Sequence, residues 1–150
     1  MKLKTKDVVF VVIQCLLFIV YFFKINLCKF NSHYIISMIA IGLIIIGILL
    51  SGTSLVLLNK NLSPFPSPKL NSVLVTRSIY NYIRHPIYTG IVLSFFGYAI
   101  YYGSAYKVLV STLLLLLFYL KSNYEEKQLL KKFKNYNTYI KTTGRFFPKI

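Results

Sequence analysis

The sequence predicts an all-α integral membrane protein with about four transmembrane helices, and three observations support this: hydropathy, charge distribution, and the positions of proline and glycine. Of its 150 residues, 56% are hydrophobic, which is more apolar surface than a soluble domain of this size can bury in one core. The length suits a single domain, 1–150. A lipid bilayer is therefore the expected solvent for most of the chain.

Four apolar segments are candidate spans. The second is long enough to cross a bilayer with tilt, and the others lie near the short end of the roughly 17–25 residues that a crossing needs. Gly103 and Ser104 separate the last two, which predicts a tight helical hairpin, because one continuous helix would be about twice as long as a bilayer is thick. Pro86 suits the first turn of the third span. The predicted spans are 8–23, 34–58, 87–102 and 105–120.

The net charge of +15 reflects 18 Lys and Arg residues against three acidic ones. The basic residues flank apolar runs, which favours anionic membrane lipids over nucleic acid as the partner. A four-span layout places three of the 18 basic residues on one side of the membrane and the other fifteen on the opposite side. The positive-inside rule then places both termini, the connection 59–86 and the tail 121–150 in the cytoplasm. The three on the other side are Lys24, Lys29 and Lys107.

The two basic segments have distinct patterns. Three prolines forbid a regular helix early in 59–86. In the tail, Ser122 and Glu125 have the S-x-x-E spacing of a capping box, which predicts that an amphipathic surface helix begins there and stops at Gly144. The prolines are Pro64, Pro66 and Pro68. The apolar positions of the predicted helix are Leu129, Leu130, Phe133, Tyr136 and Ile140.

Few side chains can carry acid, base or metal chemistry. Asp7, among lysines, is expected to be a solvated helix end, whereas Glu125 and Glu126 fit either helix capping or a functional role. His85 lies between Arg84 and Pro86 at the mouth of a span, and a polar cluster at that depth is a functional candidate. The remaining His and Cys residues are expected to be a surface side chain and structural filler, and they build no metal site. These residues are His33, Cys15 and Cys28.

Two motifs in this order around a hairpin resemble those of the isoprenylcysteine carboxyl methyltransferase family, which is related to the phospholipid N-methyltransferases. The first, at 74–90, reads L-V-T-R-S-I-Y-N-Y-I-R-H-P-I-Y-T-G. The second, at 125–139, begins E-E-K-Q-L-L-K-K-F, and R-F-F-P follows at 145–148. The resemblance covers about 52–148.

The resemblance implies methyl transfer from S-adenosylmethionine, bound at the cytoplasmic membrane face, to a hydrophobic or prenylated acceptor. Lys121 stands where the family has an acceptor-binding arginine, so the charge is kept and the bidentate fork is lost. Lys121 and Arg145 are the residues expected to hold an anionic acceptor. Family members also carry Gly before Tyr80, where this chain has Arg77 and Ser78, so the loop path is expected to differ. The expected cofactor-binding residues are Ser72, Val73, Leu74, Val75, Tyr80, Arg84, His85, Pro86, Ile87, Tyr88, Glu125 and Glu126.

The sequence therefore predicts a membrane methyltransferase, with carboxyl O-methylation favoured by Lys121 and Arg145. One alternative is a phospholipid N-methyltransferase of the same architecture, in which an amine acceptor calls for a carboxylate or an aromatic cage. A second alternative is a non-enzymatic membrane subunit that binds anionic lipid through its basic tail.

Overall fold

The computed structural model describes residues 4–25, 28–31 and 33–149, and the regular elements in this part of the chain are helices. Three of them are long and apolar enough to cross a membrane, and the third helix, with 16 residues, is shorter but also apolar. The predicted all-α membrane architecture is confirmed, as three long candidate spans and one shorter apolar helix. The helices are α1 (Thr5–Phe22), α2 (Tyr34–Leu58), α3 (Pro86–Tyr101), α4 (Ala105–Lys132) and α5 (Tyr136–Thr142).

The hairpin between α3 and α4 forms where the sequence predicts it. Pro86 is the first residue of α3. Gly103 has a φ of 64°, in the left-handed region that favours glycine, and an added Cβ would lie 2.1 Å from the Phe30 carbonyl oxygen. Ser104 caps α4 by accepting a hydrogen bond from the Lys107 backbone N–H at 3.3 Å.

The prediction that a separate helix begins at Ser122 is wrong. Helix α4 runs unbroken through this residue to Lys132, and the Ser122 hydroxyl donates to the Tyr119 carbonyl within the same helix. The amphipathic pattern is instead interrupted at Phe133, whose backbone is extended (φ −114°, ψ 112°), and the seven-residue α5 follows. The physical reason is that a serine inside a helix can satisfy its hydroxyl on the preceding turn without ending the helix.

Helices α2 and α3 pack through small residues. An added Cβ on Gly90 would lie 2.2 Å from Ser51 Oγ and 2.5 Å from the Gly47 carbonyl oxygen. Gly97 meets the Ala40 carbonyl oxygen in the same way, at 2.7 Å. Close backbone approach between small residues is a common mode of helix association in membranes. The close approach at Gly90 therefore belongs to helix packing.

Helix α4 packs on both α1 and α3, and its buried face carries Leu114, Leu117 and Phe118. Many Val, Ile, Leu and Phe side chains of α1 and α2 are exposed, as expected for surfaces that face lipid. At one end of the bundle, the buried Lys107 ammonium donates to the Tyr21 carbonyl at 2.6 Å and lies 4.4 Å from the centroid of that tyrosine ring. This cation binds one of the last carbonyls of α1, which helix geometry leaves unpaired.

The other end, called here the basic end, carries residues 4–7, 59–86 and 121–149. The tail closes back onto the loop there. The Arg84 backbone N–H donates to the Gly144 carbonyl at 2.9 Å, and Gly144 in turn donates to Tyr82 at 3.0 Å. The predicted stop at Gly144 thus falls just beyond the end of α5.

Candidate functional site

A cavity of about 420 Å³ lies at the basic end, enclosed by the 59–86 loop, the start of α3 and the second half of α4. It lies within the size range of small-molecule sites, about 300–1,000 Å³. Two of the predicted site residues do not line this cavity. They are Glu126, expected to bind the cofactor, and Arg145, expected to hold the acceptor. Those that do, together with Lys121, are Ser72, Val73, Leu74, Val75, Tyr80, Arg84, His85, Pro86, Ile87, Tyr88 and Glu125.

The loop that forms one wall is held by two long-range anchors. Asp7 is fully buried, and its carboxylate accepts from the Ser67 hydroxyl at 2.9 Å and from the Lys4 backbone N–H at 3.1 Å. The expectation that Asp7 is a solvated helix end is therefore wrong, because a loop 60 residues away covers it. The Lys132 ammonium donates to the Leu70 carbonyl at 2.9 Å, to the Ser72 hydroxyl at 2.7 Å and to the Lys69 carbonyl.

The backbone before Tyr80 adopts a conformation that suits glycine. Ser78 has a φ of 56°, in the left-handed region. Ser78 therefore adopts a glycine-like backbone conformation, although this chain has Arg77 and Ser78 where the family resemblance leads us to expect a glycine. The turn places the Tyr80 hydroxyl 3.3 Å from the Ser54 carbonyl, to which it donates.

One carboxylate faces the cavity. Tyr88 donates its hydroxyl to Glu125 Oε2 at 2.8 Å, and His85 Nδ1 lies 3.8 Å from the same oxygen. The His85 and Tyr88 rings are stacked, with centroids 5.4 Å apart, and Tyr88 stacks in turn on Phe118 at 4.5 Å. Glu125 Oε1 accepts no hydrogen bond from the described residues, so it is available to a ligand.

The second glutamate has a different role. Glu126 is buried and forms ion pairs with Arg84 (2.9 Å) and Arg145 (2.6 Å), and its Oε1 lies 3.2 Å from His85 Nε2. Arg84 also donates to the Ile140 carbonyl at 3.3 Å. This cluster joins α4, the R-H-P segment and the tail. The structure thus brings Arg145 to Glu126 instead of into the cavity.

Lys121 lines the cavity and is almost completely buried. Its ammonium donates to Gln14 Oε1 at 2.6 Å and to the Pro64 carbonyl at 2.9 Å, and it lies 5.4 Å from the Tyr88 ring centroid. None of the ion pairs among the described residues includes it. A buried ammonium without a carboxylate partner is costly, which marks it as a functional candidate.

The sequence patterns do not identify several polar residues of the cavity, among them Gln14, Tyr136 and Tyr139. Gln14 could have been noticed as an amide within an apolar span. Tyr136 is predicted only as an apolar helix position and Tyr139 only as the end of the second motif, yet both line the cavity with Tyr80. Burial raises the pKa of the Tyr80 and Tyr136 phenols above their ordinary value and raises that of Tyr139 to about 12. These phenols are therefore neutral at physiological pH. Tyr80 donates to the Ser54 carbonyl, and Tyr139 donates to the Tyr80 carbonyl.

Within the described chain, no group of three or more His, Cys, Asp and Glu side chains could hold a metal ion. Cys15 and Cys28 are free and exposed, and His33 is exposed as expected.

The fold and the site define an all-helical membrane protein whose basic end holds a cavity of small-molecule size, lined by one free carboxylate oxygen and one buried ammonium. The model of the phospholipid methyltransferase family matches residues 35–136, which include the cavity loop, α3 and α4 through the glutamate pair. The chain belongs to this family, and the membership supports a membrane methyltransferase. The match does not single out the isoprenylcysteine branch that the motifs resemble. No curated protein matches the chain.

Proposed function

We propose that this protein transfers a methyl group from S-adenosylmethionine to the carboxylate of a lipid-like or prenylated acceptor at the cytoplasmic membrane face. The observation that carries the proposal is the placement of Lys121 and Glu125 one turn apart on α4. Residues four apart share a helix face, so the buried ammonium and the free carboxylate oxygen line one cavity. Lys121 then serves the acceptor, and Glu125 serves the cofactor.

The chemistry of the donor set fits the cofactor. The two oxygens of Glu125 suit paired ribose hydroxyls, since Tyr88 fixes one oxygen and the other is free. Val75 and Tyr80 supply an apolar and aromatic wall of the kind that adenine favours. When bound, S-adenosylmethionine supplies a methyl group attached to a positively charged sulfur.

The acceptor side needs alignment more than acid–base catalysis. A carboxylate oxygen is already a nucleophile, so its bond to the methyl carbon forms as the sulfur–carbon bond breaks, and no proton moves. Lys121 provides the counterion that holds this carboxylate in line, and the apolar walls exclude water. A prenyl or acyl chain would extend from the membrane-facing end of the cavity into lipid. The charge asymmetry of the chain supports the cytoplasmic placement.

Calorimetric titration of the detergent-solubilised protein with S-adenosylmethionine and S-adenosylhomocysteine tests the cofactor. We expect binding of both, weakened at least about tenfold by Glu125→Ala and by His85→Ala. Absence of heat and of thermal stabilisation with either ligand would refute the proposal. Lys121→Met should leave the affinity for S-adenosylhomocysteine within about twofold while abolishing methylation of a farnesylated cysteine probe, because the ammonium contacts the acceptor and not the cofactor.

A second candidate is N-methylation of an aminophospholipid, which the family match leaves open. An amine acceptor gains nothing from a buried cation beside it, since two positive charges repel. The two candidates are separated with a labelled methyl donor and mixed lipid and prenylcysteine acceptors. A base-labile methyl ester, lost in Lys121→Met, supports carboxyl methylation. A base-stable N-methyl lipid, retained or increased in Lys121→Met, supports the second candidate.

A further inference from the structure

A second cavity, of about 390 Å³, lies on the other side of the loop wall 73–75. The two cavities share this wall, so it separates the candidate cofactor site from a cleft at the end of α2. We propose that this second cleft binds the phosphate of an anionic membrane phospholipid. Its lining includes Leu57, Asn59, Lys60, Asn61, Thr76 and Arg77.

The first argument is charge. Lys60 and Arg77 both line the cleft, and in the described structure neither side chain has a hydrogen-bond or ion-pair partner. The sequence contains only three acidic side chains, and each is used elsewhere. Asp7 holds the proline-rich loop, and Glu125 and Glu126 lie at the first cavity and its ion cluster. These two exposed cations are therefore free to pair with an anion from outside the chain.

The second argument is position. The cleft begins at the last turn of α2, a candidate membrane span. Leu57 lines it there, and the neighbouring Val56 is 78% exposed on the apolar surface of the same helix. A phosphate near Lys60 and Arg77 would thus lie at the headgroup level, while acyl chains follow the apolar side of α2. Anionic headgroups attract Lys and Arg at this depth.

The third argument is hydrogen bonding. Asn61 Oδ1 accepts from the Val73 backbone N–H at 2.9 Å, which fixes the amide against the wall. Its Nδ2 donates to no described residue, so it is free to donate to a ligand. Two cations, an amide donor and the Thr76 hydroxyl are groups that phosphate oxygens accept from. A positively charged choline would be repelled by the same cations, so the cleft favours a net anionic lipid.

The test is direct lipid binding, which does not depend on methyl transfer. The full chain is reconstituted in nanodiscs of equal phosphatidylglycerol and phosphatidylcholine, and the lipids retained after extraction are quantified by native mass spectrometry. We expect the wild-type protein to enrich phosphatidylglycerol. The double variant Lys60→Gln/Arg77→Gln should reduce the enrichment about 25-fold, because each cation near an anionic surface contributes about fivefold.

A matched control removes two exposed positive charges of the same end outside the cleft, with Lys131→Gln/Lys134→Gln. Enrichment in this control should stay within about twofold of wild type. Equal loss in both double variants, or no enrichment by the wild type, would overturn the site. A further arm titrates glycerol phosphate into phosphatidylcholine nanodiscs. Thermal stabilisation that needs Lys60 and Arg77 and equals that given by phosphatidylglycerol would overturn the assignment to a lipid.

Discussion

Tyr88 donates its hydroxyl to Glu125 Oε2 at 2.8 Å, and this hydrogen bond joins α3 to α4 across the wall of the first cavity. Because Tyr88 also stacks between His85 and Phe118, its ring stays in place when the hydroxyl is removed. The bond therefore fixes the direction of the one carboxylate that faces the cavity.

Tyr88→Phe should lower the affinity for S-adenosylhomocysteine about fivefold, because the glutamate loses the bond that orients it. It should also lower the free energy of unfolding by under about 1 kcal/mol, because Glu125 is partly exposed and water replaces part of the lost bond. Tyr101→Phe, at an exposed hydroxyl on the same helix, is the control. Equal effects of the two changes on binding, measured by calorimetry, would contradict this role for Tyr88.

Substitution of Glu126 should mainly reduce stability, whereas substitution of the adjacent Glu125 should mainly reduce cofactor binding. Glu126→Ala leaves Arg84 buried without its partner, which should destabilise the protein by about 3–5 kcal/mol. Glu125→Ala removes a side chain that is 26% exposed, and we expect a loss of unfolding free energy under about 1 kcal/mol together with loss of cofactor binding. Denaturant unfolding and ligand titration of both variants check this. Similar stability losses would show that the two carboxylates share one structural role.

The Asp7–Ser67 bond should behave as a coupled pair. Asp7→Ala and Ser67→Ala each remove the same buried contact, and each should destabilise the protein by about 1–3 kcal/mol. The double variant should cost clearly less than the sum of the two, because the second change removes a bond that is already broken. Additive losses in a double-mutant cycle would indicate that the two residues act independently.

Gly90→Ala should prevent α2 and α3 from packing, since the new methyl group would overlap Ser51 Oγ and the Gly47 backbone. We expect a loss of about 3 kcal/mol or more in unfolding free energy. Gly52→Ala adds the same methyl group on α2 where nothing lies within 4 Å, so it should be neutral or stabilising by up to about 1 kcal/mol. Thermal unfolding in detergent distinguishes them, and comparable stability of both variants would contradict the packing assigned to Gly90.

The helix ends that the sequence predicts well are those where one residue constrains the backbone by itself. Pro86 begins α3 because its ring fixes φ, and Gly103 turns the chain at a φ that other residues rarely adopt. The motif residues of the cavity were also found, because they lie together in two short stretches. Glu126 belongs to the second motif and Arg145 to the R-F-F-P segment, but their side chains pair with each other and do not line the cavity.

The features that the sequence could not give depend on distant partners. Asp7 is buried by a loop 60 residues away, and Lys121 contacts Gln14 at a separation of 107 residues. Ser122 illustrates the converse, since a local capping pattern was overridden by continued packing of α4. Local patterns cannot register such contacts, because only the packed bundle brings these side chains together.

Lys132 anchors the loop wall by donating to the Lys69 and Leu70 carbonyls and to the Ser72 hydroxyl. Lys132→Met should remove these contacts and loosen residues 69–72, which adjoin the cofactor wall. We expect faster amide hydrogen exchange there and an affinity for S-adenosylhomocysteine that falls about fivefold, for the loss of roughly 1 kcal/mol of ordering. Lys131→Met is the matched control, because the Lys131 side chain is exposed and this change removes the same charge from the neighbouring position. Unchanged exchange at 69–72 in Lys132→Met, or equal changes in the two variants, would show that surface charge and not this anchor maintains the wall.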